Sequence, residues 1–495
     1  METSASRSIV SRFADALTKY KADVIAILVL SSVALIVGAI TVALTLDVPG
    51  DGPVHAISAY TWSKRPRNQT YGNWLPGFNY LAGLCLMVID NPLLVPRLYN
   101  LGLSTLTIAA FYALVRRLYG WGPALLSTVA LMALPLRIGL GASSLTEASF
   151  LFFMIVGLAF LKVAVEGDDI RIVPLCMSVL FFDLAEITRY EVWPLIPLIV
   201  CYLYARSRRV SVTVFATAAL PLFPVKWSVE NYRHFGNFFY PFSQVSDPVE
   251  GGNPVGMATA IARLTHQANF HLGWLIPIAA IAGFIGELYL AMRGWLSAQR
   301  AAYAILVGAV WIMIFKGTLA RGPAMYDRYL LFGFVLALPL APMAYLRVFG
   351  RYRHSMAVGM LAIAASLSMA YYGLYPLNEA YTPIYVTRKK PIDILELVRW
   401  FPTSPYRNDA VLFTKLNWQS TYFRLYAPSM IERTNVVTVW SSDAYTREFI
   451  EKARPTLLIT QPGDEGDIAR INRVLGRSLA PALQTPVYTA GQLQV

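Results

Sequence analysis

From Val24 to Leu46 no side chain is charged, a run long enough to cross the hydrocarbon core of a bilayer and too long for the core of a signal peptide. Runs like it recur along the chain with charges only at their ends. That repetition limits the fold severely, because backbone that meets lipid must satisfy its own hydrogen bonds and so must be helical. Ahead of the first run, Met1 to Asp23 is polar and holds Arg7, Arg12, Lys19 and Lys21, so the run reads as a retained first span with the N-terminus inside. Further spans are expected near Arg97–Val115, Trp121–Leu140, Ala148–Val165, Ile172–Thr188 and Val192–Ala205. Others follow near Val210–Lys226, His271–Met292, Ala301–Phe315, Tyr329–Leu346 and Ser355–Tyr375, about eleven in all.

Orientation comes from the loops. Arg116/Arg117, Arg206/Arg208/Arg209, Arg293/Arg300 and Arg347/Arg351/Arg353 fall in alternate connections, on the side of the basic N-terminus, as the positive-inside rule requires. The net charge of +13 therefore reads as cytoplasmic loops rather than a nucleic-acid surface, on a chain that is 56% hydrophobic and only 14% charged. Cys85, Cys176 and Cys201 all lie in apolar stretches, with neither metal-ligand spacing nor a disulfide framework.

Two outer loops are long. The first, Asp47 to Pro96, holds an apolar stretch at Val54–Trp62 and a second at Trp74–Ile89, bounded by Pro76 and Pro92, that suits an interfacial or re-entrant helix. The second, Glu230 to Asn269, is rich in Gly and Pro around Asn237–Gly256 and reads as an irregular binding loop. After the last span the composition changes. Strand-like runs at Ala410–Thr414, Val436–Trp440 and Thr456–Thr460 alternate with helical stretches at Trp418–Tyr426, Asp443–Ala453 and Asp464–Leu475. The expected architecture is a mainly α transmembrane bundle over 1–378 and an extracytoplasmic α/β domain over 379–495. The cell's inner (plasma) membrane is its expected place.

The unusual polar residues gather at the outer ends of the helices, which is what a single outward-facing site would produce. Asp51 stands in Pro49-Gly50-Asp51-Gly52-Pro53, either a base above the first span or an ordinary turn carboxylate. Glu147 is either a second functional carboxylate or a helix-start acid. Asp183 and Glu186 read as structural, whereas Arg189 and Glu191 face the outside and suit a polar substrate. Lys316, Arg321 and Arg328 bring positive charge to one outer segment, suited to a lipid phosphate or to headgroups and Asp327. Arg97 has the same two readings. Asp51 and His55 share a helical face at i, i+4; that pair assigns no metal site and leaves a divalent ion open.

In order along the chain come Trp74-Leu75-Pro76-Gly77-Phe78-Asn79-Tyr80, Val95-Pro96-Arg97-Leu98, Arg116-Arg117-Leu118-Tyr119-Gly120 and Leu145-Thr146-Glu147-Ala148. Ile187-Thr188-Arg189-Tyr190-Glu191, Gly236-Asn237-Phe238-Phe239-Tyr240-Pro241 and Asp327-Arg328-Tyr329-Leu330-Leu331 follow. Over roughly residues 45 to 345 this pattern resembles the GT-C superfamily of membrane glycosyltransferases. The resemblance is to the branch of protein O-mannosyltransferases and the bacterial enzymes that decorate lipid A with aminoarabinose or galacturonic acid. It implies an inverting transfer from a polyprenyl-phosphate sugar to a lipid, glycan or protein acceptor, with Asp51 as base and Glu147 as second carboxylate. Arg97 and the Arg328–Tyr329 pair carry over as substrate-binding positions. Two departures are plain: Gly52 replaces a second acid, and Asn73-Trp74-Leu75-Pro76 replaces a Lys-Pro-Pro element, leaving Lys316 or Arg321 to supply its charge. A lipid-linked glycan flippase and a non-enzymatic envelope scaffold are the competing readings.

Overall fold

The computed structural model describes residues 21–45, 51–167, 169–207, 209–240, 254–321, 327–349, 352–374, 392–414, 417–430 and 434–437, with shorter pieces between 447 and 494. Every apolar run expected to span coincides with helix. Among the described residues seven helices are long and apolar enough to cross a membrane, and an eighth span is formed if Trp121–Ala133 and Pro135–Gly141, bent by 61°, are taken together. Pro135 explains the bend, since its ring cannot continue the preceding turn. The expectation of eleven counts three further helices, Ile172–Glu186, Ile196–Ser207 and Tyr352–Leu374, whose described apolar parts are shorter than the others.

Burial divides the spans into an inner and an outer set. Glu147–Ala164 and Arg328–Val348 are 72% buried across their apolar windows, whereas Lys21–Leu44 is only 17% buried and turns Leu28, Ile36 and Ile40 outward. The inner helices build a core around Phe111, Tyr112, Leu140, Phe150, Met154 and Phe334. Without a water-driven force between helices in lipid, close backbone approach has to supply contact. Gly157 allows it: a Cβ there would come 2.8 Å from the ring of Phe182, and Ser178 Oγ donates to Gly157 O at 2.9 Å.

The basic connections meet at one end of the bundle. Arg116 pairs with Asp23 at 3.0 Å, Arg117 with Glu166 at 2.8 Å, and Arg209 with Asp169. Glu287, fully buried, takes both Arg300 at 2.5 Å and Arg347, and so ties three late helices together. At the opposite end, the chain leaves the first helix and forms Asp51–Lys64 and then Gly77–Val88, which pack against each other. The Pro49-Gly50 half of the first-loop motif lies outside the described residues.

One segment differs from expectation. The second long loop is not irregular throughout: Met257–Leu272 is a helix, stopped by Gly273 at φ +65° before Leu275–Met292 begins. A left-handed glycine is the usual helix stop, and sequence polarity disguised this amphipathic helix as loop. Residues 241–253 of that loop lie outside the described residues.

Toward the C-terminus a three-stranded parallel sheet has the order β2-β1-β3, with β1 Val411–Thr414, β2 Thr434–Val437 and β3 Leu457–Ile459. The middle strand is β1, with Val411 opposite both Thr434 and Leu457. Helices Ile392–Trp400 and Asn417–Tyr426 pack with it. Its core is not its own. Ala56 and Ile57, from the Asp51–Lys64 helix, are buried in one cluster with Leu397, Val411, Phe413 and Phe423. The boundary expected near 378, and most of the stretches at 443–453 and 464–475, lie outside the described residues.

Candidate active site

Three separate helix starts bring charge together at the end away from the basic loops. Asp51 opens the Asp51–Lys64 helix, Glu147 opens Glu147–Ala164, and Arg328 stands in the short 3₁₀ turn Asp327–Leu330. Arg189 and Glu191 come from the break between Ile172–Glu186 and the 3₁₀ turn Tyr190–Leu195. A carboxylate in the first turn of a helix is favoured by the positive end of the dipole, which gives Asp51 and Glu147 a local reason for their positions.

The side chains interlock. Arg189 donates through Nη1 to Glu147 Oε1 at 2.6 Å and to Thr146 Oγ1 at 2.9 Å, and through Nε to Glu191 Oε1 at 2.8 Å. Arg328 pairs with Asp51 and lies 3.5 Å from Glu147 Oε1 through its Nε. Tyr329 is the common wall: the two guanidinium carbons lie 5.2 and 5.3 Å from its ring centre. Burial is uneven, with the Glu147 side chain 5% exposed and that of Asp51 40%. Asp51 is thus the most exposed of the three carboxylates, while Glu147, the most buried, contacts both arginines. Three carboxylates against two guanidiniums leave this set with one net negative charge.

His55 completes the same helical face one turn after Asp51. Its ring lies against Trp74, 4.6 Å between centroids, and Phe78, 5.8 Å. His55 Nδ1 and Glu147 Oε2 are among the polar atoms here that are buried without a hydrogen-bond partner among the described residues.

Burial is the largest influence on Asp51 and works against its charged form, but Arg328, with smaller help from His55 and Arg189, holds the carboxyl below its ordinary range. Burial is also the main influence on His55, whose imidazole is pushed down to about 4 despite the attraction of Asp51 and Glu147. At neutral pH the site therefore holds an ionised Asp51 beside a neutral imidazole.

No protein-family model and no curated protein sequence matches the chain. Solved structures do. ArnT from Cupriavidus metallidurans has a TM-score of 0.62 in the apo state, at 13% identity over 94% of this chain and 96% of that one. ArnT bound to undecaprenyl phosphate gives 0.61, over 94% and 97%. The oligosaccharyltransferase AglB from Archaeoglobus fulgidus, in complex with an inhibitory peptide and a dolichol-phosphate, gives 0.58 at 11% identity, over 93% of this chain and 71% of that one. The chain has the GT-C fold. It is a multi-pass membrane protein whose likeness to these enzymes lies in architecture.

Within this GT-C fold the structure brings together Asp51, His55, Glu147, Arg189, Glu191, Arg328 and Tyr329. The remaining sequence candidates fall elsewhere or outside view. Lys316 is exposed on Ala298–Arg321, and the side chain of Arg321 is outside the described residues. Arg97, 4% exposed, donates to Ala142 O at 2.7 Å and Thr45 Oγ1 at 3.1 Å, tying the end of the first span to the base of the site. Among the described residues no three His, Cys, Asp or Glu side chains are grouped to hold a metal ion. Thr146 and Trp74 escaped notice as site residues. A Trp in the same loop as the Asp51/His55 i, i+4 pair was the available signal.

His55 makes acid stability a test of this geometry. Its folded pKa is depressed, so below about 6.5 the unfolded chain takes a proton that the native site refuses, and stability falls as pH drops toward 4. The loss contributed by this one group approaches about 3 kcal/mol. Thermal melts in detergent from pH 7.5 to 4 should show it, and His55→Gln should flatten that part of the profile. An identical slope in both proteins would place His55 in contact with water.

Proposed function

We propose that this protein transfers a sugar from a polyprenyl-phosphate donor to an acceptor hydroxyl outside the cytoplasm. The observation that carries this reading is the Asp51–Arg328 pair at the mouth of a largely buried charge cluster. Likeness in fold to ArnT bound to undecaprenyl phosphate and to AglB with a dolichol-phosphate supports a lipid-phosphate donor. The outward orientation rests on the basic connections gathered at the opposite end.

The charge balance suggests how donor and base are coupled. Both arginines already have carboxylate partners, so a donor phosphate has to compete for Arg328 against Asp51. Once Arg328 turns to the phosphate, Asp51 loses the partner that depresses its pKa and becomes a better proton acceptor. Asp51 then takes the proton of the acceptor hydroxyl as its oxygen attacks the anomeric carbon. The bond from that carbon to the phosphate oxygen breaks with its electron pair, and Arg328 offsets the charge left on the polyprenyl phosphate. Attack opposite the leaving group inverts the anomeric centre. Glu147 holds both arginines, and Trp74 and Phe78 keep water from His55. A flippase would move the same lipid intact along polar groups running through the bundle; the exposed carboxylate Asp51 and its arginine partner instead stand at one end, and the buried charge at the other end is the closed Glu287–Arg300–Arg347 set.

Native mass spectrometry of the purified protein with added polyprenyl phosphate tests the donor assignment. The carrier should bind, and Arg328→Gln should weaken it roughly ten- to a hundredfold through loss of a charge-assisted contact. Unchanged binding in a folded Arg328→Gln protein would remove Arg328 from the donor site.

A further inference from the structure

Beside the charge cluster lies a cavity of about 190 Å³ that this chemistry does not use. One wall is the 68–80 segment of the first loop, the other the helix Leu222–Phe235, and Ile187, two residues before Arg189, lies between them. Its polar lining is Asn68, Gln69, Thr70 and Lys226, and its rings are Tyr80, Phe223 and Trp227. By the share of liquid volume that a water takes, it holds about six waters, the size of one sugar ring rather than a chain.

The wall is built, not loose. Gln69 N donates to Tyr80 Oη at 2.6 Å, Tyr80 Oη donates to Asn68 Oδ1 at 3.2 Å, and Gly72 N donates to Asn231 Oδ1 at 2.9 Å. Tyr190 Oη donates to Asn73 O at 3.0 Å, fastening the segment to the Arg189 break. Gln69 Nε2 donates to the carbonyl of Trp74, whose ring covers His55, so one segment serves cavity and cluster together. Asn68 Nδ2, Gln69 Oε1 and Thr70 Oγ1 remain free for a ligand among the described residues. Trp227, 1% exposed, is braced by Phe223 at 5.7 Å. Lys226 is exposed and pairs with no carboxylate among the described residues, since Glu230, one turn away, takes Arg233 at 2.8 Å.

Amides and a hydroxyl beside aromatic rings suit a sugar, whose hydroxyls need both donors and acceptors and whose C–H face packs on an apolar ring. The unpaired ammonium adds preference for a negative substituent. We propose that this cavity is a subsite for an acidic pyranose of the acceptor. The assignment to the acceptor rests on the transferase reading: the donor's single sugar has to lie at Asp51, so a second ring beyond Trp74 belongs to the other substrate.

Saturation-transfer NMR on the full-length protein in nanodiscs, with methyl β-glucuronide and methyl β-glucoside as probes, tests it. The glucuronide should bind more tightly. Lys226→Gln should weaken it roughly tenfold, to the level of the glucoside, and leave the glucoside unchanged. Thr70→Val should weaken both and serves as second variant if Lys226→Gln fails to fold. No transfer to either glycoside would overturn the proposal, and so would equal binding that neither substitution alters; in the latter case Lys226 meets only lipid headgroups. Because the readout is binding, a protein that holds glucuronide yet transfers no sugar refutes the transferase reading and with it the acceptor assignment, while the cavity stands as a site for an acidic sugar.

Discussion

Asp51→Asn is expected to lower turnover about 10²–10⁴-fold while the protein stays folded. The side chain is 40% exposed and opens its helix, so an amide of the same shape displaces nothing. Arg328 is not orphaned by the change, because Glu147 remains 3.5 Å from its Nε. What disappears is the acceptor for the hydroxyl proton. Donor affinity should hold or rise, since Asp51 no longer competes for Arg328, and the loss should appear in kcat. Rates measured beside donor binding and a thermal melt separate these effects. Near-native kcat in a folded Asp51→Asn protein would eliminate it as the base.

Arg189→Gln should act on the fold itself. Its side chain is 11% exposed and that of Glu147 only 5%, so the substitution leaves a buried carboxylate with Arg328 as its sole described cation. Breaking such a pair costs about 3–5 kcal/mol, mostly from the charge left behind. The double variant Arg189→Gln/Glu147→Gln should recover part of that loss, the coupling expected of residues in contact. Melting curves of the two singles and the double supply the cycle. Strict additivity would mean that Glu147 reaches water and does not anchor the two arginines.

The spans were legible because apolar runs bounded by charge admit few alternatives, and each run expected from sequence is helical. Asp51 and His55 were legible as one face because their spacing is local. Arg328 meeting Asp51 was not, since the two are 277 positions apart and only packing decides which arginine arrives. Lys316, Arg321 and Arg328 look alike in sequence, yet Lys316 is exposed while Arg328 is drawn under Tyr329. Arg97 shows the same ambiguity, its guanidinium used by Thr45 and Ala142. Ala56 and Ile57 were equally opaque: facing them with Leu397 and Phe423 required the chain to return from beyond the last span. Through that shared core, the C-terminal sheet helps to position the helix that carries Asp51.

The most direct measurement follows one labelled polyprenyl-phosphate sugar after the protein is reconstituted in liposomes with candidate acceptors. The predicted result is cleavage of the sugar–phosphate bond with label moving to the acceptor and free polyprenyl phosphate left in the membrane, lost in Asp51→Asn. Donor that crosses between leaflets with its sugar–phosphate bond intact, equally in both proteins, would contradict it.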